Sequence, residues 1–321
     1  MVLIYVDDLI ITGSNADSIA ALKKKLQGKF PVKDLGPLKY FLGIEVATSR
    51  KGLFLNQRKY TIDLLRDSNM LNSKPANTPF DSKLQLDKLG DPLDSPNYYQ
   101  KLVGKLIYLT ITRPDISFAV SLVSQYMHAP TVVHLCMVKR ILRYLKKTIG
   151  RGIVMRRNGH TDIIGFSDSD WAGNTIDRRS TTGYCMFVGG NLVSWKSKKQ
   201  PVVARSSAEA EYRAMAAASC EMVWLKNLLT DLGFSPTSPM KLFCDNQAAM
   251  HIAANPVFHE RTKHIEVDCH FIRQQVQSKV IQTHYIRSSD QLADAFTKVL
   301  SSTVFHRLMF KLGSIDPLAP A

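Results

Sequence analysis

The chain is short of acid, short of cysteine and free of long apolar runs. Its 27 Asp and Glu stand against 42 Lys and Arg, a formal net charge of +15. That deficit points to a polyanionic partner, nucleic acid before an anionic membrane. The five cysteines (Cys136, Cys185, Cys220, Cys244, Cys269) are odd in number, widely spaced and lack a C-x-x-C pair. A disulfide framework is therefore excluded, and reduced, mostly buried thiols are expected. No stretch approaches the roughly 20 apolar residues of a membrane span. The apolar start, Met1 to Val6, is too short for a secretory signal and no basic segment precedes it. An intracellular protein is expected, cytoplasmic or nuclear, neither secreted nor membrane-bound.

What is present is ordinary globular material: 45% apolar residues in 321, enough for two or three compact domains. The opening residues alternate in character. Met1 to Val6 is apolar, Asp7-Asp8 is acidic, and Leu9 to Ile11 is apolar again. This predicts a β-hairpin whose turn presents two carboxylates, which suits a bound cation or, equally, a solvated turn.

Three blocks and a tail follow from pattern, with no internal repeat. Residues 1–74 hold the hairpin, a helix over Asp17 to Gly28, strands at Phe41 to Val46 and Gly52 to Asn56, and a helix from Tyr60 to Asp67. Residues 75–158 begin with a Pro-rich linker to Pro96 and continue as helices. In the helix predicted over Thr131 to Thr148, Leu135, Val138, Leu142 and Leu145 form the apolar stripe. Lys139, Arg140, Arg143, Lys146 and Lys147 surround it, with no acid among them. That face suits phosphate contacts, the alternative being a solvated surface.

Residues 159–300 alternate strands and helices, the pattern of an α/β domain (α+β for the whole chain). Strands are predicted at Asp162 to Asp168, at Gly183 to Val188 with Asn191 to Trp195 as a hairpin, at Lys241 to Cys244 and at Val280 to Ile286. Helices are predicted over 207–231, over Val267 to Gln277, and from Asp290 onward. Residues 301–321 read as a tail, disordered after Gly313.

The third block places carboxylates where its elements end. Asp168 ends one strand and Asp245 another, and Asp294 falls on the last helix. Glu209 and Glu211 share the long helix, and helix physics separates them. Ser206 with Glu209 fits a capping box, and Glu209 has Arg213 at i+4. Glu211 instead heads the apolar row Met215, Ala218, Met222, Leu225 and Leu229, so it should face inward. An inward glutamate is costly unless a cation or donor meets it. Spacing does not separate Asp168 from Asp170, which share a strand face. Asp245-Asn246 also fits a plain N-cap, and Asp294 a salt bridge in a row with Asp290 and Lys298. Converging carboxylates of this number are what two-metal phosphodiester chemistry requires. His251, His259, His264, Cys269 and His270 lack the partner spacing of a zinc site. Lys263 and His264 suit a phosphate contact, or His264 a helix cap.

The motifs in this order resemble the C-terminal part of the Pol polyprotein of copia-type LTR retrotransposons, over nearly the whole chain to Leu300. Tyr5-Val6-Asp7-Asp8 resembles the reverse transcriptase catalytic turn, and Lys33 to Val46 the segment after it. Leu102 to Leu109 and Thr112 to Ile116 resemble the region leading to the RNase H domain. Ser167 to Gly173, Arg178 to Tyr184, Ser206 to Tyr212, Asp245 to Ala249, Arg261 to Ile265 and Ala293-Asp294 resemble RNase H motifs.

The resemblance implies an RNase H-like mixed sheet with flanking helices, after a truncated palm/thumb remnant and a helical connection. It implies cleavage of RNA in RNA–DNA hybrids with two Mg²⁺ ions (or Mn²⁺), held by Asp168, Glu211, Asp245 and Asp294. Asp7 and Asp8 would be a residual polymerase metal site. Arg178, Arg179, Lys263, His264 and the five cations of the 131–148 helix would contact nucleic acid. A third polymerase aspartate and the fingers would lie upstream, so polymerase activity is not expected from this chain unless a partner supplies that half. The loop before the last aspartate, Ser288-Ser289-Asp290-Gln291, also lacks the histidine many RNases H carry there. His284 falls in the preceding strand, so slow turnover is expected, or compensation by His264. The competing expectation is a non-catalytic nucleic-acid-binding remnant.

Overall fold

A computed structural model describes residues 1–81, 90–254 and 266–317. The opening hairpin is β1 (Val2–Tyr5) and β2 (Asp8–Ile11), a two-stranded sheet by itself, followed by α1 (Ala16–Gln27). Tyr5 pairs with Asp8, which leaves Val6 and Asp7 as the turn. Val6 adopts φ 48°, a left-handed conformation that a β-branched residue tolerates poorly.

A second sheet gathers β3 (Tyr40–Phe41), β4 (Ile44–Ser49) and β5 (Gly52–Asn56), and α2 (Arg58–Asp67) follows them. The helical region is α3 (Pro96–Leu109), α4 (Ser117–Ser124) and α5 (Val132–Lys147), and it ends in β6 (Gly152–Arg156), which pairs with β5.

The third block contains β7 (Ile163–Asp170), β8 (Thr181–Val188), β9 (Asn191–Lys199), α6 (Ser207–Asp231), β10 (Met240–Cys244), α7 (Gln247–Ala254), α8 (Glu266–Gln277) and β11 (Ile281–Tyr285). Its strands form one sheet in the order β11-β10-β7-β8-β9. The β7–β8–β9 pairs are antiparallel, whereas β10 runs parallel to both β7 and β11. This is the mixed sheet with flanking helices expected of an RNase H-like domain. Parallel neighbours need crossover helices, and α6, α7 and α8 supply them.

The core on one sheet face is built from Tyr184, Met186, Met222, Leu242 and Cys269. On the other face, Cys185, Phe187 and Phe296 share a single core with Leu106, Val123 and Leu142 of the helical region. Within that core the buried Arg113 donates to Asp115 and to the Thr148 carbonyl, and Tyr144 donates to Asp115. The indole N–H of Trp195 on β9 donates to the Thr110 carbonyl. The blocks on either side of residue 158 therefore share one core.

Two further expectations are corrected. Residues 302–315 are not a loose tail. They form α9 (Ser302–Lys311), with Phe305, Leu308 and Met309 buried, and β12 (Ser314–Ile315), which pairs with β6. The Pro and Ala content of the last residues hid an apolar helical spacing just before them. The helix predicted from Asp290 is instead two 3-10 turns, Ser288–Asp290 and Leu292–Phe296. Between them Gln291 is fully buried, and its side chain donates to the Ser167 carbonyl and accepts from Ala293 N–H. That anchor to β7 interrupts the helix.

Candidate active site

The carboxylates come together at one end of the mixed sheet. Asp168 lies near the end of β7, and Asp245 follows β10 directly. Glu211 comes from the second turn of α6, and Asp294 from the 3-10 turn. Asp168 is 1% exposed and Glu211 is 6% exposed, so both carboxyls sit in a low-dielectric pocket.

Burial, then repulsion from Asp168 and Asp245, pushes the Glu211 carboxyl up to about 9. Burial and the Asp168 charge push Asp294 up to about 6. Mutual shifts of this kind arise where carboxylates crowd each other without enough positive charge. The Ser169 backbone N–H donates to Glu211 and partly offsets its burial.

The Glu209/Glu211 choice made from helix faces agrees with this geometry. Ser206 accepts from Glu209 N–H, and Glu209 accepts from Arg205 N–H and from the Arg213 guanidinium. Glu209 closes the helix start, while Glu211 faces the cluster. At Asp245 the N-cap reading is also resolved: Asn246 caps α7 by accepting from Ala249 N–H. That leaves Asp245 to accept the Ser288 hydroxyl at 2.7 Å.

Asp168 and Asp170, equivalent by spacing, part company in space. Asp168 accepts from the Thr297 hydroxyl and from Lys298 Nζ at 3.1 Å, beside Asp294. Asp170 accepts from Thr181 N–H across the ladder and is pushed up to about 7, chiefly by burial. Asp168 is thus the member that joins the cluster.

Three features of the site were not legible in sequence. Cys244 places its Sγ near Glu211 Oε2, and the ligating atoms of Glu211, Cys244 and Asp245 all lie within 4.8 Å of one another. Lys298 donates to both Asp168 and Asp294. Gly183 faces Asp168 across the ladder, and a Cβ there would meet Thr297 Cγ2 at 2.5 Å and the Ala293 carbonyl at 3.0 Å. The missing side chain lets the 3-10 turn, and with it Asp294, press onto the sheet. Of these, the Asp294–Lys298 ion pair was anticipated, as the salt-bridge alternative for Asp294.

Other predicted site residues fare differently. Asp7 and Asp8 sit on the opening hairpin, and among the described residues no third ligating side chain gathers with them. Four of the five α5 cations have partners within the protein. Arg140 pairs with Asp81 and Thr78, Arg143 donates to the Lys74 carbonyl, Lys146 to the Ser73 carbonyl and Lys147 to Asn77. They strap residues 73–81 onto α5, with Ala76 and Phe80 buried beneath. Residues 75–81, the described start of the segment expected to be a linker, are therefore packed; Arg140 meets the Asp81 carboxylate there, while Arg143, Lys146 and Lys147 donate to neutral oxygens. Lys139 is exposed, as are Arg178 and Arg179 in the loop after β7, where Arg179 pairs with Asp177. Lys263 and His264 lie outside the described residues, as does His259. His284 is held in β11 with its ring 5.3 Å from that of Phe243.

The donor set fits a hard divalent cation: carboxylate oxygens, buried or half-buried, mutually repelling and drawn from separate elements. Asp168, Glu211, Asp245 and Asp294 are the residues that would hold it.

A reverse transcriptase (RNA-dependent DNA polymerase) family model matches residues 1–82. The retrovirus-related Pol polyprotein from transposon RE1 of Arabidopsis thaliana is 47% identical over 97% of this chain. The corresponding polyprotein from transposon TNT 1-94 of Nicotiana tabacum is 39% identical over 95% of it. The chain spans 21% and 24% of those two polyproteins, about a fifth to a quarter of their length. An uncharacterized mitochondrial protein of Arabidopsis thaliana is 47% identical over 69% of this chain and 92% of its own length. Among solved structures, LC11-RNase H1 from compost matches 43% of this chain and 93% of its own, at 16% identity and a TM-score of 0.34. A foamy viral protease–reverse transcriptase in complex with double-stranded DNA matches 89% of this chain and 46% of its own, at 13% identity and a TM-score of 0.48. With sequence identity of this order across almost its full length, the chain belongs to the Pol polyprotein family of copia-type retrotransposons.

Proposed function

We propose that this chain carries a Mg²⁺-dependent RNase H-type endonuclease that cuts the RNA strand of RNA–DNA hybrids. The observation that carries the reading is the convergence of Asp168, Glu211, Asp245 and Asp294 from four separate elements, with Asp168 and Glu211 buried and Asp245 and Asp294 half-buried beside them. Divalent cations bound there would supply the charge that stabilises the developing phosphate charge. The chain's own part is to hold four carboxylates in place, with Thr297 and Ser288 orienting Asp168 and Asp245. The burial of Asp168 and Thr297 strengthens the contact between them. Hybrid selection falls to contacts with 2′-hydroxyls and phosphates, for which Lys139, Arg178 and Arg179 are candidates.

The test is incubation of purified protein with a labelled RNA–DNA hybrid and Mg²⁺, with Mn²⁺ in a parallel reaction. Cleavage is expected, and an Asp245→Asn variant should abolish it. Equal signal from the two proteins sinks the reading.

A second reading, a nucleic-acid-binding remnant without catalysis, draws on one observation. Leu3, Ile4, Tyr5 and Val6 of the opening hairpin are half or more exposed, an apolar face that a working polymerase unit would cover. No dNTP incorporation on a primed template is expected unless a partner covers that face and completes the site around Asp7 and Asp8.

A further inference from the structure

The metal-site reading leaves Lys298 without a role. Lys298 Nζ lies 2.7 Å from Asp294 Oδ1 and 3.1 Å from Asp168 Oδ1, between two carboxylates assigned to a divalent cation. We propose that Lys298 is the internal counter-cation of this site. Its ammonium joins Asp168 to Asp294 while no divalent cation is bound, and it gives way when one binds. The inference rests on the proposed assignment of those carboxylates as metal ligands.

Three observations support it. First, the two oxygens of Asp168 have unlike partners. Oδ2 takes the hydroxyl of Thr297, which is 1% exposed and fixed by packing, whereas Oδ1 takes only the lysine among these bonds. One oxygen is held and the other can change partner. Second, the Lys298 side chain is 39% exposed while that of Asp168 is 1% exposed. A four-carbon stem rooted at the rim can withdraw into solvent without disturbing the core. Third, the charge balance is lopsided. Four crowded carboxylates face one ammonium, so a divalent cation at the same oxygens outcompetes it. The backbone supports the geometry, since Lys298 N–H donates to the Asp294 carbonyl at 3.0 Å and returns the side chain over the turn.

Calorimetric titration of the full chain with MgCl₂ tests this in wild type, Lys298→Met and Lys298→Arg, with thermal melts of each in EDTA. Lys298→Met should bind Mg²⁺ roughly tenfold more tightly, since a competing unit charge is gone. Its metal-free melting midpoint should fall, and saturating Mg²⁺ should close that gap. Lys298→Arg keeps the charge and should stay near wild type in both. Equal or weaker Mg²⁺ binding by Lys298→Met, or an unchanged metal-free midpoint, overturns the inference. Hybrid cleavage measured in parallel separates the two claims. Tighter binding by Lys298→Met with no cleavage by wild type sustains the counter-cation and defeats the nuclease reading. Cleavage by wild type with equal affinities does the reverse, and no binding by either protein defeats both.

Discussion

Gly183 stands directly across the β7–β8 ladder from Asp168, and the space its missing side chain leaves is filled by Thr297 and the Ala293 carbonyl. The position of Asp294 beside Asp168 depends on that close approach. A Gly183→Ala substitution should push the 3-10 turn off the sheet, cost about 1–3 kcal/mol of stability and reduce hybrid cleavage far more than stability. Chemical denaturation and a cleavage assay at saturating Mg²⁺ check the two parts. Wild-type cleavage by a destabilised Gly183→Ala protein would falsify the packing argument.

The two α6 glutamates should behave oppositely. Glu211→Gln removes an inward carboxylate and should abolish cleavage, while removing the repulsion that drives its protonation raises metal-free stability. Glu209→Gln weakens the contacts to Arg205 N–H and Arg213, costing about 1 kcal/mol with cleavage retained. Paired melts and cleavage rates decide it, and an inactive Glu209→Gln would reverse the assignment.

Asp168→Asn and Asp170→Asn form a similar pair. Asp168 joins Lys298 and Asp294, so its amide variant should lose both cleavage and Mg²⁺ binding. Asp170 is turned to Thr181 N–H, so Asp170→Asn should still titrate with Mg²⁺ in a calorimeter.

Stability of the metal-free protein should fall as pH rises. Glu211 at about 9 and Asp294 at about 6 bind protons more tightly in the folded state than in the unfolded chain. Their protonation therefore favours the fold at low pH, and that contribution is lost between about pH 4 and about pH 9. Melts in EDTA across this range should slope downward at these groups' expense. Mg²⁺ should flatten the slope by replacing the protons.

The α5 cations that hold the strap should contribute little to nucleic-acid affinity. Lys146→Ala and Lys147→Ala should loosen the strap at residues 73–81 and leave hybrid binding, measured by anisotropy against salt, nearly unchanged. Lys139→Ala, at an exposed position, should lower the salt slope by about one if it meets a phosphate.

Much of this was legible in the amino-acid order. Period-2 and period-3.6 patterns located α6 over 207–231 and the β8–β9 hairpin around Gly189-Gly190. The apolar row headed by Glu211 told it apart from Glu209, because both the capping box and the helix face are local rules. Charge pattern alone did not reveal the strap on α5, since a lysine's partner can be a carbonyl some 70 residues away, as for Lys146 and Ser73. Composition misled on residues 302–315, where the next residues' Pro and Ala content masked an amphipathic helix.

By itself, then, the sequence determined the element pattern, the inward glutamate and the family, each fixed by short-range periodicity or by long contiguous motifs. Only the tertiary structure decided between Asp168 and Asp170, brought Cys244 and Lys298 to the carboxylates, and turned the basic α5 face into an internal clasp. Those outcomes depend on strand order and on the approach of the 3-10 turn at Gly183. Such contacts join residues distant in the chain, 130 positions apart for Asp168 and Lys298, and no local pattern encodes them.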